Sequence, residues 1–313
     1  MKMSNKAVRV ATRLLTIVAL VIILVTMGFW WWSEQKDPQN VFENAIKNQL
    51  RTKGVIKMVQ QGSEQQGLNQ AVSFNGTGEG QIFASTIISQ SSQNTNAQVK
   101  TETIGTPSQE FFRYVQIDTD QTNAQGEQLD FSSVVGVWGD KSSQSQSSPG
   151  PELYDEFVFG AVPTEYMSAA DADQLLNTMI EEGVYTPDYE SAQLEYVSGC
   201  VGTFCDAFSF NKRPVMTFNV ELNVAKYIEL LKTFGDKIGQ DRYANEQTEQ
   251  YQNQPNLNFT LAVDVLTQRI KTIGFPNGAI ETYGSYGAQR THELPNNTVP
   301  FEQIVEDINK LQQ

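Results

Sequence analysis

MTFNVEL, residues 216–222, alternates: Met216, Phe218, Val220 and Leu222 share one side, Thr217, Asn219 and Glu221 the other. A period of two marks a half-buried strand, because successive side chains of an extended chain point to opposite faces. Directly behind it the period changes. Tyr227, Leu230, Leu231, Phe234 and Ile238 recur at helical spacing, so the strand runs into an amphipathic helix. NFTLAVDV (258–265) repeats the alternation, with Phe259, Leu261, Val263 and Val265 on one side. RIKTIGF (269–275) reads as its hairpin partner, since the Leu266-Thr267-Gln268 break is the size of a turn. Another short strand is expected over 279–286.

Outward from this block, Asp37-Pro38 reads as an N-cap followed by proline at the first helical position. Val41, Phe42, Ala45, Ile46 and Leu50 then form the apolar stripe of a helix that Gly54 should end. Extended segments follow across polar turns at about 54–61, 70–76, 79–90, 96–104, 109–118 and 130–138. With no helices between them, they predict antiparallel hairpins and not βαβ units. SQSSQNTNAQ (89–98) reads as a polar hairpin tip, and KSSQSQSSPGP (141–151) as a loop or short linker that can bury almost nothing. Ser168 caps a later helix with Ala172, Leu175, Leu176, Met179 and Ile180 on one face, stopped by Gly183. A closing helix from about Pro300 carries Phe301, Ile304, Val305, Ile308 and Leu311. The order of elements predicts an α+β fold.

The first 32 residues are of another kind. Leu14 to Trp32 is a run of 19 residues without a charge, which as a helix rising about 1.5 Å per residue reaches roughly the 30 Å of a bilayer core. Every charge before it is basic (Lys2, Lys6, Arg9, Arg13), and Glu34 and Asp37 follow it. The positive-inside bias therefore predicts a cytoplasmic tail (1–13), a transmembrane signal anchor (14–32) and an extracytoplasmic remainder (33–313). A cleaved signal peptide would have a shorter apolar region ending in small residues, whereas this run ends in Met27, Phe29 and three indoles. Trp30, Trp31 and Trp32 fall at headgroup depth, where rings with an apolar body and a polar N–H concentrate, and Arg13 marks the opposite interface. The expected partner of this segment is the lipid bilayer.

The chain has 22 basic and 36 acidic residues, and the four basic ones before Trp32 leave the outer part with a net charge of −18. Such a surface repels polyphosphate, which argues against a nucleic-acid partner, and solubility accounts for it better than an acidic binding face. Two cysteines, Cys200 and Cys205 in CVGTFC, can close a small disulfide loop outside the membrane, worth about 2 kcal/mol. A metal pair is the rival reading, but it needs further ligands and the chain has one histidine, His292. No metal, cofactor or catalytic residue is expected.

YVQIDTDQT (114–122) carries the one enzymatic pattern worth weighing. An apolar strand entering D-x-D-x-T resembles the first motif of haloacid-dehalogenase-type phosphatases, which would make Asp118 the nucleophile and Asp120 the acid–base group of a Mg-dependent enzyme. GDKIGQD (235–241) loosely resembles that family's acidic motif, through Asp236 and Asp241. Against this, ELLKTF before Gly235 has helical and not strand periodicity, and the region lacks the alternating helices that a parallel fold demands. Aspartates between two strands are ordinary turn residues. A calcium loop over Asp118 to Leu129 fails, with Asn123 and Leu129 where glycine and glutamate are required.

DPQNVFENAIKNQL, MTFNVELNVAKYIELLKTFG and NFTLAVDVLTQRIKTIGF together resemble segments of the lipoprotein-carrier fold, the LolA-like and mycobacterial LppX-like group. Asp264, Thr267 and Arg269 or Lys271 match an aspartate, a turn and a basic residue on that family's late hairpin. The resemblance implies a curved antiparallel half-barrel with helices packed into its concave side, and non-covalent shelter of acyl chains in an apolar cavity. By that analogy Ile82, Phe112, Tyr114 and Phe218 would line the cavity. This chain departs from the family in its anchor, its length and an insertion at about 141–206.

The expectation is thus a single-pass membrane protein, localised to the cell membrane, with a non-enzymatic outer domain. That domain binds a lipid or other apolar ligand. The alternative is a structural or protein-interaction ectodomain with a filled core and a surface protein partner, and the phosphatase comes third.

Overall fold

The computed structural model describes residues 36–63, 66–91, 96–122, 126–142, 152–197, 200–201, 204–205, 212–238 and 248–311. The predicted anchor, with Arg13 and Trp30–Trp32, lies outside these residues. Among the described residues no helix is long and apolar enough to cross a membrane.

The fold is α+β, a large curved open sheet with five helices among the described residues. Helix α1 (Pro38–Gln49) leads into five long strands, β1 (Gly54–Gly62), β2 (Gly67–Asn75), β3 (Gln81–Ser91), β4 (Asn96–Gly105) and β5 (Glu110–Thr119). The two-residue β6 (Gly139–Asp140) is followed by α2 (Glu152–Val158), α3 (Ala169–Glu181), β7 (Tyr185–Pro187) and β8 (Gln193–Val197). A separate ribbon, β9 (Cys200–Val201) and β10 (Phe204–Cys205), precedes β11 (Arg213–Leu222) and α4 (Val224–Ile238). After a 3-10 turn at Thr248–Tyr251 come β12 (Leu257–Asp264), β13 (Arg269–Gly274), β14 (Ile280–Gly284), β15 (Val299–Pro300) and α5 (Phe301–Leu311).

The large sheet runs β15-β6-β5-β4-β3-β2-β1-β14-β13-β12-β11-β7, with β8 also paired to β11. Its strand pairs are antiparallel except β15 with β6. Two hairpin blocks far apart in sequence become one sheet through β1 and β14, from Ile56 opposite Gly284 to Gln60 opposite Ile280.

All but one of the expected strands form. The segment at 130–138 instead turns, because the N–H groups of Val134 and Val135 both bond to the Phe131 carbonyl and Gly136 adopts φ 84°. This tucks Phe131 and Val134 into a small cluster with Ile304 of α5. The first helix stops at Gln49, before Gly54, which opens β1. A side chain there would collide with the Ala288 carbonyl, so glycine serves close backbone approach and not helix termination.

The helices pack on one face. Phe42 of α1 meets Phe218 edge-on at 5.7 Å, with Tyr185 and Tyr189 at 6.3 and 6.1 Å. Helix α3 is capped as expected by Ser168, whose Oγ accepts from the Asp171 N–H, and Gly183 follows it at φ 63°. Phe157 of α2 stacks on Phe74 at 5.3 Å, and Phe159 meets Phe234 of α4 at 5.7 Å. Residues 152–187, within the stretch read as an insertion, thus help to build the central core. The opposite face is partly covered by the segment after β14, where the His292 ring stacks on Phe83 at 4.1 Å and its carbonyl and N–H bond to Gln81. The chain then rounds the sheet edge through β15 and lays α5 against β6, at Gly139.

Candidate functional site

On β11 the buried Phe218, Val220 and Leu222 alternate with exposed Asn219 and Glu221, and on β12 the buried Phe259 and Leu261 alternate with exposed Asn258 and Thr260. The exposed set faces away from the helices. Register carries one row across this outer face: Asn219 lies opposite Thr260, Thr260 opposite Gly274, and Gly274 opposite Ile280. At Gly274 the row has no side chain, and a Cβ there would stand 2.7 Å from Thr260 Oγ1. The missing side chain leaves a trough.

The turn from β13 to β14 walls one end. Phe275 N–H bonds to the Ala279 carbonyl at 2.9 Å, Gly278 N–H returns to the Phe275 carbonyl at 3.0 Å, and Gly278 takes φ 82°, which glycine adopts without strain. Phe275, Pro276, Ala279 and Ile280 border that end, and Thr186, Pro187 and Asp188 border the other. The groove has a volume of about 900 Å³ and a mostly apolar lining. Ile280 is 46% exposed within it, an apolar side chain left to solvent on a sheet face.

Its charge is one-sided. Asp188 and Glu221 are the ionisable side chains lining it, both toward β7 and β11. Hydrogen bonds from the Ser191 hydroxyl and N–H hold the Asp188 carboxyl below the usual carboxylate range. The Glu221 carboxylate accepts from Asn256 Nδ2.

The residues expected to line a cavity are elsewhere. Ile82 and Phe218 are fully buried in the core. Phe112 and Tyr114 are half-buried on β5, their rings 4.9 Å apart, and Phe301 of α5 lies 5.4 Å from Phe112. The four are not brought together, and none lines the groove. Of the groove residues, Gly274 had a legible sign, since glycine inside a strand pattern marks close approach or an absent side chain.

Asp118 and Asp120 lie at the exposed tip of β5. Asp118 accepts from Gln116 Nε2, and Asp120 accepts from the Asn96 N–H at 2.8 Å, which fixes the strand end. Both neighbours of β5 are antiparallel, which removes the parallel context of the phosphatase motif. Asp241 and the Asp236 side chain lie outside the described residues. On the late hairpin, Asp264 Oδ1 accepts from the N–H and hydroxyl of Thr267, and Arg213 approaches Oδ2 at 3.4 Å. The matched aspartate and threonine thus close the turn, on which Asn48 of α1 docks by donating to the Gln268 carbonyl. Cys200 and Cys205 are cross-strand partners in the β9–β10 ribbon. Their side chains lie outside the described residues.

A second, polar cavity of about 580 Å³ lies between the glycine-rich loop at residues 76–80 and the start of α3. Glu165 is 9% exposed at its base, and burial raises its carboxyl above the usual range, against the lowering effect of bonds from the Tyr166 N–H and the Tyr154 hydroxyl.

No protein-family model matches the chain, and no curated protein does. Among solved structures the chain is similar to the crystal structure of LprF from Mycobacterium bovis, at 10% sequence identity and a TM-score of 0.42, over 82% of this chain and 96% of that one. That is a weak similarity of fold, and nothing about a ligand follows from it.

Proposed function

We propose that the chain is a single-pass membrane protein whose outer domain binds an apolar ligand, non-catalytically, in the groove across β7, β11, β12, β13 and β14. The groove carries this reading. Its volume of about 900 Å³ falls within the roughly 300–1,000 Å³ of small-molecule sites, and such sites are mostly apolar with a few placed polar groups. Membrane tethering is supported by the uncharged run from Leu14 to Trp32 and the basic residues before it. The test is native mass spectrometry of the full chain released from membranes, beside the Thr260→Trp variant, whose ring would fill the trough floor. A mass excess in the natural chain that the variant loses is the expected result. A bare mass for both overturns the reading.

A surface that docks another protein is the second reading, and one feature favours it. Among the described residues strand β8 pairs on one side only, with β11, and presents Leu194 and Tyr196 at 36% and 54% exposure. Open edge strands are ready templates for another chain. Loss of a co-purifying protein on Tyr196→Lys, with ligand mass unchanged, would support it.

A further inference from the structure

Helix α1, near the start of the described residues, packs at the same sheet edge as the β7 end of the groove, on the opposite, helix-bearing face. Phe42 packs on Tyr189, and burial, together with the facing carboxylates of Glu43 and Asp37, pushes the Tyr189 phenol up to about 12. Tyr189, the residue after Asp188 of the groove rim, is thus within electrostatic reach of Asp37 at the start of α1. The apolar run ends at Trp32, leaving residues 33–36, which span at most roughly 14 Å even when fully extended. With the indoles at headgroup depth, that link keeps Asp37, and with it the β7 edge of the sheet, near the bilayer surface.

The trough is also graded along its length. Its bilayer-proximal end carries Asp188 and Glu221, and no basic side chain lines it among the described residues. Its far end is Phe275, Pro276 and Ile280. It crosses five adjacent strands, a width of about 19 Å at roughly 4.8 Å per spacing. One leaflet of hydrocarbon is about 15 Å deep, so a single acyl chain fits lengthwise. Ionised carboxylates accept hydrogen bonds and cannot donate them, so the head they hold must bring donors and must not be anionic.

The geometry points to a groove that takes one acyl chain from the protein's own membrane, tail toward Ile280, and selects a hydroxyl or ammonium head at Asp188 and Glu221 against sulfate or phosphate. This rests on the groove being the ligand site, as proposed above. Steric fit alone would accept any head.

The experiment uses the full chain in phosphatidylcholine nanodiscs at neutral pH with three photoreactive diazirine probes of equal tail length: hexadecanol, hexadecylamine and hexadecyl sulfate. Crosslinked peptides are read by mass spectrometry. Alcohol and amine are expected to label the peptides of residues 213–222 and 269–280, and the sulfate at least about tenfold less, the effect of roughly 1.4 kcal/mol of repulsion. Asp188→Asn with Glu221→Gln should raise sulfate labelling and lower amine labelling. Thr260→Trp, and independently Ile280→Asp, should lose labelling by the alcohol and the amine. Sulfate labelling equal to alcohol overturns the head selection and leaves the groove reading standing. If no probe labels these peptides while all label the apolar run before Trp32, the groove reading falls and this inference falls with it.

Discussion

Truncating Phe218 to alanine separates a ligand space under the helices from one on the outer face. The ring is fully buried, 5.7 Å from Phe42 and 6.4 Å from Tyr189, both edge-on. Its neighbours Val220, Leu261 and Val263 are buried as well, so the space vacated has no route to water. A Phe→Ala change in such packing costs about 3–5 kcal/mol. At roughly 2–4 °C per kcal/mol for a domain of this size, the melting temperature should fall by about 10 °C. The melt is followed by near-UV circular dichroism of the full chain in detergent, with pulse proteolysis in urea as a second readout. Labelling of the 269–280 peptides by the alcohol probe should not change, because the groove opens on the other face. Had the inner side held a ligand cavity lined by Phe218, the truncation would enlarge it. A loss below about 1 kcal/mol together with higher ligand uptake would therefore refute the assignment of the core as filled.

The other predictions concern the edge, the buried acid, the topology and the cysteine pair. Gly139→Leu should detach α5, since a Cβ there stands 2.9 Å from Ile304 Cδ1 and 3.2 Å from the Phe301 Cα. Faster amide exchange over 299–311 at a cost of about 1–3 kcal/mol is expected, and unchanged exchange would count against the docking. Glu165 has a raised carboxyl in the fold, so its contribution is complete below the unfolded value near 4.3 and is lost as pH rises through the folded one. Glu165→Gln should flatten the fall in urea midpoint between acid and alkaline pH, and parallel curves would contradict the burial argument. Protease added to intact cells should cut the outer domain, whereas protection would remove the membrane topology. Under denaturing conditions Cys200 and Cys205 should take up iodoacetamide only after reduction. The opposed register of β9 and β10 suits a cross-strand bridge, and labelling without reductant would exclude it.

What was legible in the sequence was local. The alternation of 216–222 and 258–265 set which side of each strand is buried, and Phe218, Val220, Phe259 and Leu261 are where that alternation put them. Pro38 and Ser168 open their helices, and Asp264 with Thr267 closes its turn. Each outcome depends on residues within a few positions of one another. The pairing of β1 with β14 joins positions more than 200 residues apart, and no local pattern specifies it. At 130–138 the apolar residues called for a strand, but hydrogen bonds to the Phe131 carbonyl and the cover of α5 at Ile304 stabilise a turn. Tertiary packing overrides β-propensity there.

The candidate site was hidden for a related reason. A pocket sought by looking for bulky apolar residues leads to Ile82 and Phe218, which are core because hydrophobic side chains fill space. Space is left where a side chain is missing from an otherwise continuous row. At this groove it is Gly274, between Thr260 on β12 and Ile280 on β14, and only the three-strand register shows the gap to be flanked and not merely flexible. The acids that would govern head choice arrive from further away still, Asp188 from beyond β7 and Glu221 from β11. In the sequence they are two of 36 carboxylates on an acidic chain. Their meaning comes from sitting together at one end of the trough, the end that the proposal above sets nearest the membrane. Moving that end, for example by lengthening the 33–36 link with a stiff helical spacer of about 20 residues, or 30 Å, should reduce probe capture from the bilayer while leaving the fold intact. Capture unchanged by the spacer would mean that the groove is not loaded from its own membrane.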